Sequence, residues 1–489
     1  MNTKGNKTRN QVQNIDIKVV SSKEFQARMS EIREGLKAST WKQLETTGKF
    51  KKEEKLSFIS DDMLIVGCDI GSETHYVRAI DVRGRELSKD AFAFSNTETG
   101  FESALRWALE LAATSNKTQI VLGLEPTGHY WFCLATWMIS HGVSVVQVNP
   151  YAVKQTKEIE DNSQLKDDRK DPKLIANLVK DGNYGMPYLP EDVYADLRRL
   201  SMLRDQLNED RTRTYNRLHR EMKIYFPEYM DAFGSIDGKF TLELLRTAPF
   251  PEDLISLGTE GIREIWQSAG LRGRGYGRAT TIYEYAENSV GIKSGTVGGK
   301  EAVRWFVNEA IRLEEMLDEI ETTLHSKCRE IPNAKNLLEI RGMGENILSG
   351  IMAELGDVSR FDDTNEIQKL SGMNLVASSS GKHKGQTKIS KRGRKRLRYW
   401  LFQAAKSAVS HAEEFKVLHA YYTTRAVNPL KKKQSLVVIA CKILRIIFAI
   451  LKNGSKYDPA KMLSDIKHAS AADAALAAYV KEQRVRAVD

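Results

Sequence analysis

The first sustained apolar pattern begins at Met63. There MLIVGCDIGSETHYVRAIDVRG reads as an apolar strand, a glycine-containing turn, and an alternating strand that ends at a charged glycine turn. Residues 84–94 supply a third strand, Ser95 to Gly100 an entry turn, and Phe101 to Thr114 a helix by its spacing. Gln119 to Leu124 is another apolar strand, running into Glu125-Pro126-Thr127-Gly128. Tyr130 to His141 has helical spacing, Val143 to Val148 reads as a strand, and Asn149-Pro150 stops it. The order β-β-β-α-β-α-β predicts a mixed sheet covered by helices. It is not a Rossmann unit, because no G-x-G-x-x-G follows the first strand.

Beyond this α/β part the pattern turns helical. From Tyr194 to Phe226 a charged stretch carries Leu197, Leu200, Leu203 and Leu207 at helical spacing, and a second such stretch runs from Val303 to Leu324. They predict two long helices packed as an antiparallel pair around a Gly-rich, turn-prone segment, 231–300; the same pattern suits a coiled-coil arm that joins subunits. The expected organisation is a basic N-terminal extension (1–60), an α/β domain (61–188), a long helical region (189–330) holding the 231–300 insertion, a mainly helical C-terminal domain (331–455) with a core helix over 430–452, and a charged, Ala-rich tail (456–489).

Composition narrows the classes. The 489 residues carry 74 lysines and arginines against 64 acids, a net +10, and the 41% hydrophobic content excludes a mostly disordered chain. Cys68, Cys133, Cys328 and Cys441 form no C-x-x-C pair, which argues against a disulfide framework or a cysteine zinc site. No membrane route is expected: the apolar run Leu436 to Leu451 is interrupted by Lys442 and Arg445 and reads as a buried helix. The segment MNTKGNKTRNQ has charge but no apolar region behind it, unlike a secretory signal.

Two regions carry candidate chemistry. Asp69 ends the first strand, Glu125 ends a later one, and Asp168 and Asp171 follow in KDDRKD. Residues three apart in a helical turn share a face. Carboxylates gathered in one place repel unless cations neutralise them, and hard oxygen donors suit Mg²⁺ (or Mn²⁺); two such ions roughly 4 Å apart stabilise both oxygens of a phosphodiester exchange. Taken singly, Asp69 also suits a turn cap, and Asp171 before Pro172 suits an N-cap. The second region starts at Leu338 to Asp357, where Gly342-Met343-Gly344 makes a short hairpin between helices and offers backbone N–H groups to a phosphate. Ser378-Ser379-Ser380-Gly381 follows, then Lys382, Lys384, Lys388, Ser390, Lys391, Arg392, Arg394, Lys395, Arg396 and Arg398, with no acid from Gly381 to Trp400. Such density is the footprint of a nucleic-acid backbone contact. A serine in cationic surroundings can attack a phosphodiester, and the residues alone leave Ser378, Ser379, Ser380 and Ser390 open for that role.

With GCDIG at Asp69, GLEPTGHY at Glu125, KDDRKDPKLIANL at Asp168 and Asp171, LEIRGMGENILSGIMAELGD, and SSSGKHKGQTKISKRGRKRLR, the chain resembles the DEDD transposases of the IS-one-ten insertion-sequence family. The resemblance covers both domains and the helices between. It implies a RuvC-like, RNase H-like fold in the α/β domain with Asp69, Glu125, Asp168 and Asp171 as metal ligands, and a C-terminal transposase domain with a helix-hairpin-helix. It also implies a serine nucleophile in a Ser-Gly motif, which maps to Ser380-Gly381 with Ser379 and Ser390 as fallbacks. Further implications are a covalent phosphoserine DNA intermediate, donor and target DNA chosen by a structured noncoding guide RNA, and a homo-oligomer, dimer or tetramer, with composite active sites in the bacterial cytoplasm at the nucleoid. Pro172 stands where the family commonly has alanine, and the 1–60 and 231–300 segments are longer than the family pattern. The rival expectations are a hydrolytic Holliday-junction nuclease and a non-catalytic nucleic-acid-binding protein.

Overall fold

Six successive buried residues, Met63 to Cys68, form most of β1 (Met63–Asp69), a strand covered on both faces as its unbroken apolar run requires. The computed structural model describes residues 27, 49–160, 171–271, 275–376, 379–380, 383–384, 387–425 and 428–459, in two units that divide between Leu189 and Pro190. In the first unit, α1 (Lys49–Phe58) precedes β1. Then come β2 (Thr74–Ile80), β3 (Phe92–Ser95), α2 (Glu98–Thr114), β4 (Gln119–Leu124), α3 (Trp131–Ser140), β5 (Ser144–Val148), α4 (Pro150–Glu160), α5 (Asp171–Lys180) and β6 (Tyr184–Gly185). The sheet order is β3-β2-β1-β4-β5-β6. β1, β4 and β5 run parallel, while β2, β3 and β6 are antiparallel to their neighbours.

Strand alternation sorts the core into two layers. Leu64, Val66 and Cys68 face α2 and α3, together with Phe101, Ala108, Leu134 and Met138. Met63 and Ile65 face the opposite side with Val121, Val146, Ile175 and Val179, so α5 covers that face. α2 starts at an N-cap threonine, where Thr97 Oγ1 accepts from Gly100 N at 3.2 Å. The mixed sheet between helices fits the RNase H-like expectation. One difference lies at its start: Phe58 and Ile59, assigned to the extension by composition, are buried in the sheet's core, and Lys55 Nζ donates to the Tyr184 carbonyl. A lysine-rich helix looks solvent-exposed in sequence because its apolar contacts are few, yet it is anchored by them.

In the second unit, α6 (Asp192–Tyr225) is followed by α7 (Tyr229–Phe233), α8 (Lys239–Thr247), α9 (Pro251–Ser268), α10 (Tyr276–Glu287) and then α11 (Thr296–Arg329). α6 and α11 pack antiparallel, as expected. Arg204 Nε meets Glu321 at 2.6 Å, Tyr215 Oη donates to Glu314 at 2.6 Å, and Tyr225 Oη donates to the Gly295 carbonyl at 3.1 Å. Leu207, Leu313 and Leu317 fill the seam.

The 231–300 segment departs from its turn-prone reading, since most of its described residues are helical and enclose a core of Tyr229, Phe250, Leu254 and Trp266. Its glycines punctuate helices: Gly234 (φ 77°) ends α7, Gly238 and Gly275 precede α8 and α10, and Gly295 (φ 74°) precedes α11.

The chain continues through α12 (Ala334–Leu337), α13 (Glu345–Leu355), a 3₁₀ turn at Val358–Arg360, α14 (Thr364–Leu370), and the short strands β7 (Leu375–Val376), β8 (Ser379–Ser380), β9 (His383–Lys384) and β10 (Lys388–Ile389). It closes with α15 (Lys395–His411), α16 (Glu413–Thr424) and α17 (Lys432–Asn453). Leu197, Leu324 and Cys328 from the helix pair share one core with these helices, so the regions expected as 189–330 and 331–455 are continuous. By length and composition, among the described residues α17 is the helix that is apolar enough to cross a membrane; Ile439, Ile443, Leu444, Ile447 and Ile450 instead lie buried in this core.

Candidate active site

Two glycines in register set the position of the acids. Gly67 on β1 pairs with Gly123 on β4. A Cβ at Gly67 would lie 1.9 Å from the Pro172 carbonyl oxygen, and one at Gly123 would lie 2.4 Å from a Val179 methyl. Only hydrogen at both positions lets α5 rest on the sheet. Asp69 and Glu125 each follow by two residues on the same face, so they emerge beside each other where the two parallel strands end. α5 begins over Gly67 and brings Asp171 to the same edge.

Electrostatics express this gathering. Burial pushes the half-buried Glu125 carboxyl above its ordinary range, and the charges of Asp69 and then Asp171 push the same way. Lys157 of α4 opposes them, and its Nζ lies 2.6 Å from Asp171 Oδ1. No described residue hydrogen-bonds the Glu125 side chain, and Thr127 N closes a tight turn on the Glu125 carbonyl at 2.8 Å. The structure thus brings together Asp69, Glu125 and Asp171, the last on the first turn of α5; Asp168 lies outside the described residues. As donors, these are hard oxygens crowded by like charge, which suits a divalent cation. Among the described residues no three His, Cys, Asp or Glu side chains stand at metal-ligand spacing, and the compensating cation at Asp171 is an ammonium. Lys157, Gly67 and Gly123 were missed by sequence reasoning. Glycines two residues before each acid were a readable signal, whereas Lys157 carried none.

The serine and lysine segment builds a separate surface in the second unit. β8 and β9 pair antiparallel, with Ser380 opposite His383 and Ser379 opposite Lys384. Ser378, Gly381 and Lys382 lie outside the described residues. The Ser390 hydroxyl donates to Asn374 Oδ1 at 2.6 Å, and Arg392 N donates to it at 3.3 Å. That hydroxyl holds a turn together, with β10 pairing to β7 and Lys391 N donating to the Gly372 carbonyl.

The expected phosphate contacts divide by role. Arg394 Nη1 donates to the Glu354 carbonyl, Arg398 Nη1 to the Ser371 carbonyl at 2.9 Å, and Arg396 Nε meets Asp205 at 3.0 Å. These arginines hold the domain together, whereas Lys388, Lys391, Arg392 and Lys395 are exposed. At the Gly-x-Gly hairpin, Glu345 occupies the first turn of α13 and pairs with Arg329 and His325, so the anion place there is taken by the chain's own carboxylate.

The mixed sheet with clustered carboxylates at its strand ends, followed by a cation-rich helical domain, defines a protein that acts on nucleic acid. A transposase family model matches residues 66–227, and the model of the transposase IS116/IS110/IS902 family matches residues 334–423. The chain is 22% identical over 407 residues to an insertion element IS116 uncharacterized 44.8 kDa protein of Streptomyces clavuligerus, covering 82% of this chain and 97% of that one. It is 25% identical over 350 residues to the mini-circle putative transposase for IS117 of Streptomyces coelicolor, covering 66% and 79%. It is 23% identical over 301 residues to an insertion element IS900 uncharacterized 42 kDa protein of Mycobacterium paratuberculosis, covering 60% and 73%. The chain belongs to the IS110/IS116 family of transposases, enzymes that act on DNA.

Proposed function

We propose that this transposase exchanges DNA strands through a covalent serine intermediate at a metal-assisted site. The observation that carries the reading is the convergence of Asp69, Glu125 and Asp171 at one sheet edge, where burial and then the charges of the other two raise the pKa of the Glu125 carboxyl. Asp69, Glu125, Asp171 and Asp168 would hold Mg²⁺ or Mn²⁺, which supplies Lewis-acid stabilisation of the phosphoryl oxygens and of the leaving oxygen. Ser380 Oγ forms a bond to the scissile phosphorus and the bond to the DNA 3′-oxygen breaks; that oxygen takes up a proton and leaves as a hydroxyl. The serine proton passes to a general base as the bond to phosphorus forms. Attack by a partner strand's 3′-hydroxyl on the phosphoserine reverses the step and frees the serine.

Lys388, Lys391, Arg392 and Lys395 steady backbone phosphates, and the exposed Tyr399 beside them offers a face for sugar or base. Sequence choice falls to a structured noncoding guide RNA. The protein works as a homo-oligomer in the bacterial cytoplasm, at the nucleoid, with the α6–α11 pair as the arm that joins subunits.

The test is a denaturing gel of end-labelled donor DNA incubated with the protein and Mg²⁺. A protein-linked band that survives denaturation and disappears in Ser380→Ala, with DNA binding kept, supports the reading. Cleaved DNA with no attached protein selects hydrolysis by the same acids, DNA binding with no cleavage by the wild type selects a non-catalytic binding role, and unchanged cleavage in Asp69→Ala would overturn the role given to the acids.

A further inference from the structure

The positive charge of the chain sits in one stretch. Of its 74 lysines and arginines and 64 acids, 20 and 2 lie between residues 367 and 457; that stretch carries +18 and the rest of the chain −8. The serine-bearing segment (382–394) and α15 account for half of those cations. Others lie on a different corner of the second unit, where α16 turns into α17, and no function has yet been given to them.

That corner is built rather than loose. Arg425 Nε donates to the Asn428 carbonyl at 2.9 Å, Leu430 N donates to the Tyr422 carbonyl at 2.8 Å, and Asn428 adopts a left-handed conformation (φ 55°) that turns the chain. The fully buried Ser435 hydroxyl and His419 Nδ1 are hydrogen-bonded at 2.9 Å, and Gln434 Oε1 accepts from Lys431 N, which fixes the first turn of α17. On this frame Lys431, Lys432 and Lys433 are all exposed.

None of the three forms an ion pair with a described residue, and α17 contains no acid along its 22 residues. The contrast with the rest of the unit is sharp. Arg213, Arg246, Arg263, Arg304 and Arg312 each pair with an acid three or four residues away on their own helix. A solvated helix surface mixes signs in that way; a run of uncompensated lysines is stable when a polyanion neutralises it.

The occupant follows from the surroundings. An anionic lipid surface would need an apolar face beside the charges, but the apolar face of α17 is buried in the domain core. A duplex needs only exposed cations held on a rigid element, and Arg445 adds an exposed charge further along the same helix. We propose that Lys431, Lys432 and Lys433 form a second DNA-backbone contact, separate from the serine-bearing segment, which holds flanking duplex without reading its sequence. The proposal rests on the transposase reading above and adds a second footprint to it.

The experiment measures anisotropy of a fluorescent 30-base-pair duplex of arbitrary sequence with the full chain across a salt series. Wild type is compared with the Lys431→Gln/Lys432→Gln/Lys433→Gln variant and with a Lys→Arg triple. Each phosphate contact contributes about 0.9 to the slope of log affinity against log salt. The glutamine variant is expected to lose about 2 to 3 from that slope and about tenfold in affinity, while the arginine variant matches wild type.

Equal slopes and affinities for wild type and the glutamine variant would overturn the second contact alone. A wild-type protein that fails to bind duplex at all would overturn the transposase reading with it. Two further arms use an RNA hairpin and vesicles containing phosphatidylserine: losses confined to either, with duplex binding intact, overturn the choice of DNA. Unchanged circular dichroism and melting of the glutamine variant show that a lost slope reports contact and not folding.

Discussion

Glu125 shows at one residue how crowded carboxylates work against stability. Burial, then Asp69, then Asp171 hold its carboxyl above the ordinary glutamate value. A folded state that raises an acid's pKa binds protons more tightly than the unfolded chain, so this contribution to stability falls as pH rises above about 4.5. Glu125→Gln is therefore expected to raise the metal-free melting temperature at pH 7 while abolishing strand cleavage; thermal melts in EDTA check it, and a lower melting point contradicts the crowding. Ser390 gives the opposite case. Its hydroxyl joins Asn374 to Arg392, so Ser390→Ala should cost about 1 kcal/mol in denaturant unfolding yet keep the covalent DNA adduct. Loss of the adduct with full stability would transfer the nucleophile to Ser390. Asp69, Glu125 and Asp171 were legible because strand ends and a helix start are legible. Lys157 was not, since a lysine on an amphipathic helix looks the same whether it meets water or a carboxylate.

At the scale of elements, the site depends on how closely α5 lies on β1 and β4. Gly67→Ala places a methyl group against the Pro172 backbone, which must move. The expected result is a loss of about 1–3 kcal/mol in the first unit and faster hydrogen exchange in α5, with reduced DNA cleavage in step. β2 carries a second sensitive position. His75 is fully buried between Phe94 and Phe101, its ring nitrogens have no geometric partner among the described residues, and burial holds its imidazole below the ordinary range, with Asn96 opposing. A depressed histidine favours the folded state above about pH 6.5 and costs stability as pH falls below it. His75→Phe should remove that acid-side loss, read from melting temperatures between pH 5 and 7.5; an unchanged pH profile would contradict it.

The apolar run of β1, the alternation of β2 and the spacing of the two long helices were readable because one simple pattern governs each. The 231–300 helices were hidden by their own caps: glycine marks both a turn and the end of a helix, and composition alone does not separate them.

For the whole molecule, charge is the organising feature. A net +10 understates it, because the stretch 367–457 holds +18 within a chain that is otherwise acidic. That distribution was only partly legible, since nothing in the sequence signals that Arg394, Arg396 and Arg398 also hold acceptors within the fold. The most direct measurement of the central claim is Mn²⁺ binding followed by electron paramagnetic resonance on the full chain. The account predicts saturable binding that Mg²⁺ competes away and that Asp69→Asn and Glu125→Gln each abolish. Identical Mn²⁺ uptake by wild type and both variants would contradict it.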